Sequence, residues 1–190
     1  MTFISAFNDD RIIAGQGTIG LELVEQVSDL EAVVVPIGGG GVISGIATAI
    51  KSLRPEVEVY GVQTESAPAM EHSFREGRLV EVETRRSIAD GIAIKRPAER
   101  TLAHIRKYVD DIRLVTEEDI EAGMFHLLET AKVVAEGAGA AGLAAVLAGR
   151  FPELEGRQTA VVLCGANVDL NMLSRIIERS LVRQHRLVQL

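Results

Sequence analysis

The stretch Val33-Val34-Val35-Pro36-Ile37-Gly38-Gly39-Gly40-Gly41-Val42-Ile43-Ser44-Gly45 constrains this chain more than any other. It opens on a run of β-branched residues, the composition of a buried parallel strand. Four consecutive glycines follow. Val42, Ile43, Ile46, Ala47, Ile50 and Leu53 then recur at helical spacing. A strand therefore runs into a glycine turn, and the turn into a helix N-terminus. Such a terminus carries unpaired N–H groups and a partial positive charge. Glycines let those groups close around a phosphate, because no Cβ stands in the way. A bare strand–helix turn needs only one or two glycines. Four in a row point to something that approaches the backbone closely.

The common nucleotide motifs do not fit this loop. G-x-G-x-x-G would need glycine at Ile43 or Ser44, depending on the frame. A P-loop would need lysine after its second glycine, and Ile46 follows Gly45. The loop reads as a phosphate cradle of another kind. Ala32 to Ile50 carries no charge and is long enough to raise a membrane span. Its four glycines and Pro36 favour strand, turn and helix instead.

Around this centre, strands alternate with helices. Gly15-Gln16-Gly17-Thr18 predicts a helix start, with Ile19, Leu23 and Val27 as its apolar stripe. Arg54-Pro55 stops the central helix. Val57 to Val62 reads as a strand and Ser66 to Phe74 as a short helix closed by Gly77. Residues 78–100 are the least periodic part, a long connection of the kind that is often functional. Thr101 to Tyr108 predicts a helix and Ile112 to Val115 a strand. Thr116 with Asp119 fits a capping pattern. It precedes a helix with Ile120, Met124, Leu127 and Leu128 on its core face. Gly139 to Leu147 reads as a closely packed, alanine-rich helix, and Thr159 to Leu163 as the last clear strand. Leu170, Leu173, Ile176, Ile177 and Leu181 mark a final amphipathic helix, before a weakly alternating tail at 186–190. The pattern predicts an α/β fold: an open, mostly parallel sheet with helices on both faces. Ligands of such sheets sit beyond the carboxyl ends of the strands. The turns after Ile37 and Leu163 should therefore converge on one site.

Three further clusters could carry chemistry there. Leu163-Cys164-Gly165-Ala166-Asn167-Val168-Asp169 places the chain's single cysteine at a strand end. A buried structural thiol and a ligand-side thiol both fit. Ala135-Glu136-Gly137-Ala138-Gly139 places a carboxylate before glycines, as a helix cap or a site acid. In Ser87-Ile88-Ala89-Asp90-Gly91-Ile92-Ala93 the Asp-Gly pair is a common turn. The four histidines are scattered, and His126 with Glu129 is a solvated pair rather than a metal site. With 190 residues and an apolar fraction of 47%, the chain is one large domain or a piece of something larger. A net charge of −7 argues against nucleic acid. One cysteine suits a reducing cytoplasm, and Met1-Thr2-Phe3-Ile4-Ser5 lacks the basic start of a signal peptide.

Taken together, the clusters resemble the pyridoxal-phosphate enzymes of the tryptophan-synthase-β fold type, nearest the threonine dehydratase (threonine ammonia-lyase) and serine racemase family. The resemblance runs through Ala14-Gly15-Gln16-Gly17-Thr18-Ile19-Gly20-Leu21-Glu22, Pro36 to Gly41, Ala89 to Ala93, Ala135 to Gly139 and Cys164 to Asp169, in the family's order. It implies that Gly38, Gly39, Gly40 and Gly41 bind the cofactor phosphate. Cys164 then stands against the pyridine nitrogen, Gly91 lines the cofactor and Glu136 lies near its ring. It implies deamination of L-threonine or L-serine to a 2-oxo acid and ammonia. A thiol facing the ring, unlike an aspartate, does not keep the pyridine protonated. That choice favours loss of the β-hydroxyl.

Two features depart from the family pattern. Its Schiff-base lysine lies in an N-terminal Ser-(Phe/Tyr)-Lys-x-Arg-Gly motif, and none of Lys51, Lys95, Lys107 and Lys132 sits in one. Residues 1–190 then correspond to the large, phosphate-binding domain, without the N-terminal part and the small domain. Relatives that bind a divalent metal use carboxylates where this chain has Gln63, Ala67 and Ala69, so no metal is expected. The expected partners are a small amino-acid substrate and either a second copy of the chain or a complementing fragment, with neither nucleic acid nor membrane. The competing readings are a non-catalytic cofactor- or phosphate-binding module, a serine racemase-like enzyme and a nucleotide-binding α/β domain.

Overall fold

The computed structural model describes residues 4–188. The last two residues of the alternating tail, 189 and 190, lie outside them. Four parallel strands form one sheet in the order β3-β2-β1-β4, where β1 is Ala32–Pro36, β2 Glu58–Thr64, β3 Asp111–Val115 and β4 Thr159–Val161. Val33 pairs with Val59, and Val34 with both Tyr60 and Val161. All five β1 residues are buried, as a central strand covered on both faces must be.

Alternation along β1 divides the interior in two. Val33 and Val35 join Ile37 and the helix α2, Gly41–Leu53, whose Ile43, Ile46, Ala47 and Ile50 are fully buried. Helices α1 (Asp10–Gln26), α3 (Ala69–Glu76) and α4 (Glu99–Tyr108) complete that side. Ala32 and Val34 face the other layer, built from α5 (Glu117–His126), α6 (Gly137–Leu147) and α7 (Leu170–Arg183). Each fully buried Val, Leu or Ile contributes roughly 2 kcal/mol of apolar transfer energy. The two-faced parallel sheet anticipated above is therefore the architecture observed.

Local signals shift some boundaries. α1 begins at Asp10, before the glycines, because the Asp9 carboxylate accepts the Arg11 N–H at 2.8 Å. Gly17 and Gly20 lie inside that helix and let it lie on α2. A Cβ at Gly20 would be 2.8 Å from the Ile46 carbonyl oxygen, and one at Gly45 would be 2.6 Å from the Gly17 nitrogen. Thr116 and Asp119 form the full capping box of α5. That helix loosens into a π-helical turn, Leu127–Ala131, which closes on Lys132 at φ 59. Leu170 is the first residue of α7 and is 79% exposed rather than part of its apolar face. Ile176 carries that face, and Arg179 and Arg183 tie α7 to the buried carboxylate of Glu121 on α5. Gln63 accepts the N–H groups of Met70 and Glu71, both at 3.0 Å, and so caps α3. No described helix is long and apolar enough to cross a membrane.

Candidate functional site

At the carboxyl edge of the sheet, β1 and β4 end beside each other. The chain leaves β1 through Pro36 and Ile37 and turns at Gly40, whose φ of +86 is left-handed. Glycine adopts that conformation without steric cost. α2 starts at the next residue with no side-chain cap. Among the described residues, none of the backbone N–H groups of Gly38, Gly39, Gly40, Gly41, Val42 or Ile43 has a protein acceptor. Ser44 is the first to find one, the Gly40 carbonyl at 3.0 Å. A row of unpaired amides at the positive end of a helix is an anion cradle in need of an anion.

Steric contacts hold the cradle in shape. A Cβ at Gly38 would stand 3.0 Å from Ile92 Cα and 3.1 Å from the Gly91 carbonyl oxygen. At Gly40 it would meet Ile105, Met70 and Thr101, at 2.8, 2.9 and 3.1 Å. The Phe7 ring packs directly on Gly39, and its backbone on Gly41. No side chain larger than hydrogen fits at these positions without displacing a neighbour.

A depression of about 260 Å³ opens over this loop. Gly38, Gly39, Gly40, Gly41, Gly91, Glu136 and Cys164 all border it. The structure thus gathers every candidate site residue around one hollow, from four separate segments of the chain. It adds Phe7, Ile92 and Ala138, which sequence reasoning left out. Phe7 gave no periodic signal. Ala138 is legible only as the small residue that lets Gly91 approach, 3.2 Å from where a Gly91 Cβ would stand.

Cys164 is half-buried beyond the end of β4. Burial, and secondarily the Glu136 carboxylate, push its thiol above the ordinary value, so it is neutral at pH 7. Glu136 occupies the N-cap position of α6, but its side chain makes no capping bond. Its Oε2 instead accepts the backbone N–H of Asn167 at 3.1 Å. The local cap reading is corrected here: the carboxylate bonds an amide of another segment and leaves the first turn of α6 uncapped. The lysines are engaged elsewhere: Lys51 with Asp110 at 2.8 Å, Lys95 with Glu81 at 2.8 Å, and Lys132 with the Glu129 carbonyl at 2.6 Å. Lys107 lies over the Tyr108 ring. Among the described residues, no group of three or more His, Cys, Asp or Glu is placed to hold a metal ion.

Residues 1–165 match the family model described as pyridoxal-phosphate dependent enzyme. The chain belongs to that family. The orphaned amides of the glycine loop fit the phosphate end of the family's coenzyme. Over 186 residues this family member is 53% identical to L-threonine ammonia-lyase of Thermotoga maritima, covering 98% of this chain and 46% of that protein. It superposes on the processed form of threonine deaminase isoform 2 from Solanum lycopersicum with a TM-score of 0.88 and 32% identity. That match covers 94% of this chain and 52% of the tomato chain. Maize serine racemase gives a TM-score of 0.85 at 33% identity, over 93% and 56% of the two chains. The chain spans about half the length of the curated relatives it matches.

Proposed function

We propose that this chain builds the coenzyme-phosphate side of a threonine ammonia-lyase active site. The reaction removes water across Cα–Cβ of L-threonine or L-serine and ends in a 2-oxo acid and ammonia. One observation carries the proposal: residues Gly38 to Val42, whose amides are unpaired at a helix N-terminus, border the hollow that Cys164 also borders. The names of the Thermotoga and tomato relatives support the reaction.

When bound, pyridoxal phosphate supplies an electron-withdrawing ring for the electron pair left at Cα. The chain's own residues position it. The Gly38–Gly41 amides, reinforced by the α2 dipole, hold the phosphate dianion. Gly91 and Ala138 leave room for a flat ring. Cys164 would offer the ring a neutral thiol, which, unlike a carboxylate, would not keep a pyridine nitrogen protonated. No lysine borders the hollow among the described residues, so the amine that bonds the coenzyme comes from residues other than these. In this reading the substrate is a small amino acid and the setting is the cytoplasm. The hollow is completed by residues outside this stretch, in further polypeptide or in a second copy of the chain.

Calorimetric titration with pyridoxal phosphate, pyridoxal and inorganic phosphate tests the cradle. Pyridoxal phosphate should bind, inorganic phosphate should compete, and pyridoxal should bind at least about tenfold more weakly. Equal binding of pyridoxal, or no competition by phosphate, overturns the reading. Turnover is tested by adding the part of the Thermotoga relative that this chain does not match. Formation of 2-oxo acid from L-threonine is expected. Binding without turnover in that mixture selects the second reading, a non-catalytic coenzyme-binding module.

A further inference from the structure

The turn that carries Cys164 has little to hold it. Residues 165–167 are exposed, and Gly165 sits at φ +105, a conformation open in practice to glycine alone. Among the described residues, only one backbone N–H from Leu163 to Asn167 reaches a protein acceptor: that of Asn167, on Glu136 Oε2 at 3.1 Å. The Gly165 carbonyl in turn accepts the backbone N–H of Glu136, also at 3.1 Å. Both hydrogen bonds that tie this turn to another segment therefore end on one residue. Contact with α6 completes the seat, since a Cβ at Gly139 would stand 2.6 Å from the Cys164 carbonyl oxygen. Gly165 lacks the Cβ that would collide with the Glu136 carboxylate.

We propose that Glu136 is a positioning residue: by clasping the turn at Gly165 and Asn167, its backbone and carboxylate hold the Cys164 thiol at the edge of the coenzyme hollow. A helix cap would have spent this carboxylate on α6 itself. Here it reaches across to a loop that would otherwise be free to swing. The purpose of the clasp rests on the reading of the hollow as a coenzyme site, but the clasp itself does not. The bond is charge-assisted and therefore stronger than a neutral one. Among the residues bordering the hollow, Glu136 is the only ionisable group besides the thiol. Asp90 and Asp169 border a separate hollow on the other side of Glu136.

Cys164 is the only cysteine in the sequence, so alkylation reports on this turn alone. The test uses the chain without coenzyme, which separates its failure from failure of the functional reading. Alkylation by iodoacetamide is followed from pH 6 to 10, together with hydrogen exchange at the Asn167 amide. Three variants separate reach from charge. Glu136→Gln keeps an acceptor oxygen and loses the charge. Glu136→Asp keeps the charge and loses the reach. Glu136→Ala loses both. Exchange at Asn167 should quicken about tenfold in Glu136→Ala and Glu136→Asp, and only about threefold in Glu136→Gln, which keeps the bond but not its charge. Alkylation should speed up with the exchange, and in Glu136→Gln the pH midpoint should move down with the turn still protected. The Ala variant is not needed if it fails to fold, because Asp against Gln makes the same distinction. Unchanged Asn167 exchange in Glu136→Asp, or exchange in Glu136→Gln as fast as in Glu136→Asp, overturns the proposal.

Discussion

The turns after β1 and β4 lie at the same edge of the sheet and are held in opposite ways. The glycine turn is fixed by shape. Ile92, Phe7, Met70, Thr101 and Ile105 press on its α-carbons, and its amides are left without protein partners. The cysteine turn is exposed, and polar bonds to Glu136 hold it. The difference has a chemical sense. A cradle that must offer several N–H groups to an anion cannot spend them on its own scaffold, so packing has to fix it. A turn that presents one side chain can use its backbone to fasten itself.

Substitutions can break the contrast from either side. The largest effect is expected in the helix that the glycine turn leads into, at Gly45→Ala, where the added methyl collides with the Ile13 carbonyl oxygen and crowds the Gly17 nitrogen at 2.6 Å. Backbone cannot move aside as a side chain can. About 3 kcal/mol of stability should be lost in urea unfolding. Gly40→Ala should cost about 2 kcal/mol, from its φ of +86 and its close neighbours. The same variant should weaken pyridoxal phosphate binding by calorimetry on the order of tenfold. Gly165→Ala should cost only about 1 kcal/mol, because the turn is open to solvent and Glu136 can swing away. Its signature is faster Cys164 alkylation, the mark of a turn whose fastening has gone. A Gly165→Ala cost matching that of Gly40→Ala would erase the distinction between the two turns.

The smallest expected effect is a pH dependence. Burial first, and the Glu136 carboxylate second, raise the Cys164 thiol above its unfolded value. The folded chain therefore holds this proton more tightly than the unfolded chain does. That contribution is complete below the ordinary thiol range and is lost as pH rises through the folded value. Wild type should lose stability relative to Cys164→Ser between pH 8 and pH 10, measured by urea midpoints. Parallel curves for the two proteins would place the thiol in a solvent-like environment.

Much of this molecule was legible in the order of its residues. Val33 to Gly45 determined a buried strand, a glycine turn and a helix start, because β-branching, missing Cβ atoms and 3.6-residue spacing are local properties. The parallel sheet followed from the alternation of such segments. The glycine run, Asp90-Gly91, Glu136 and Cys164 could be picked out one by one, since each stands at a loop where a strand or helix begins or ends. Other features could be decided only in three dimensions. Residues 39, 91, 136 and 164 meet because β1 and β4 are neighbours, and strand order is a property of the whole sheet. Gly17, part of the sequence that suggested a helix start at residue 15, turned out to seat α1 on α2, a contact between distant segments. Glu136 stands at the N-cap position of α6 and yet bonds Asn167 instead. A long, flexible side chain can reach a donor in another segment, and sequence distance does not say where that donor lies.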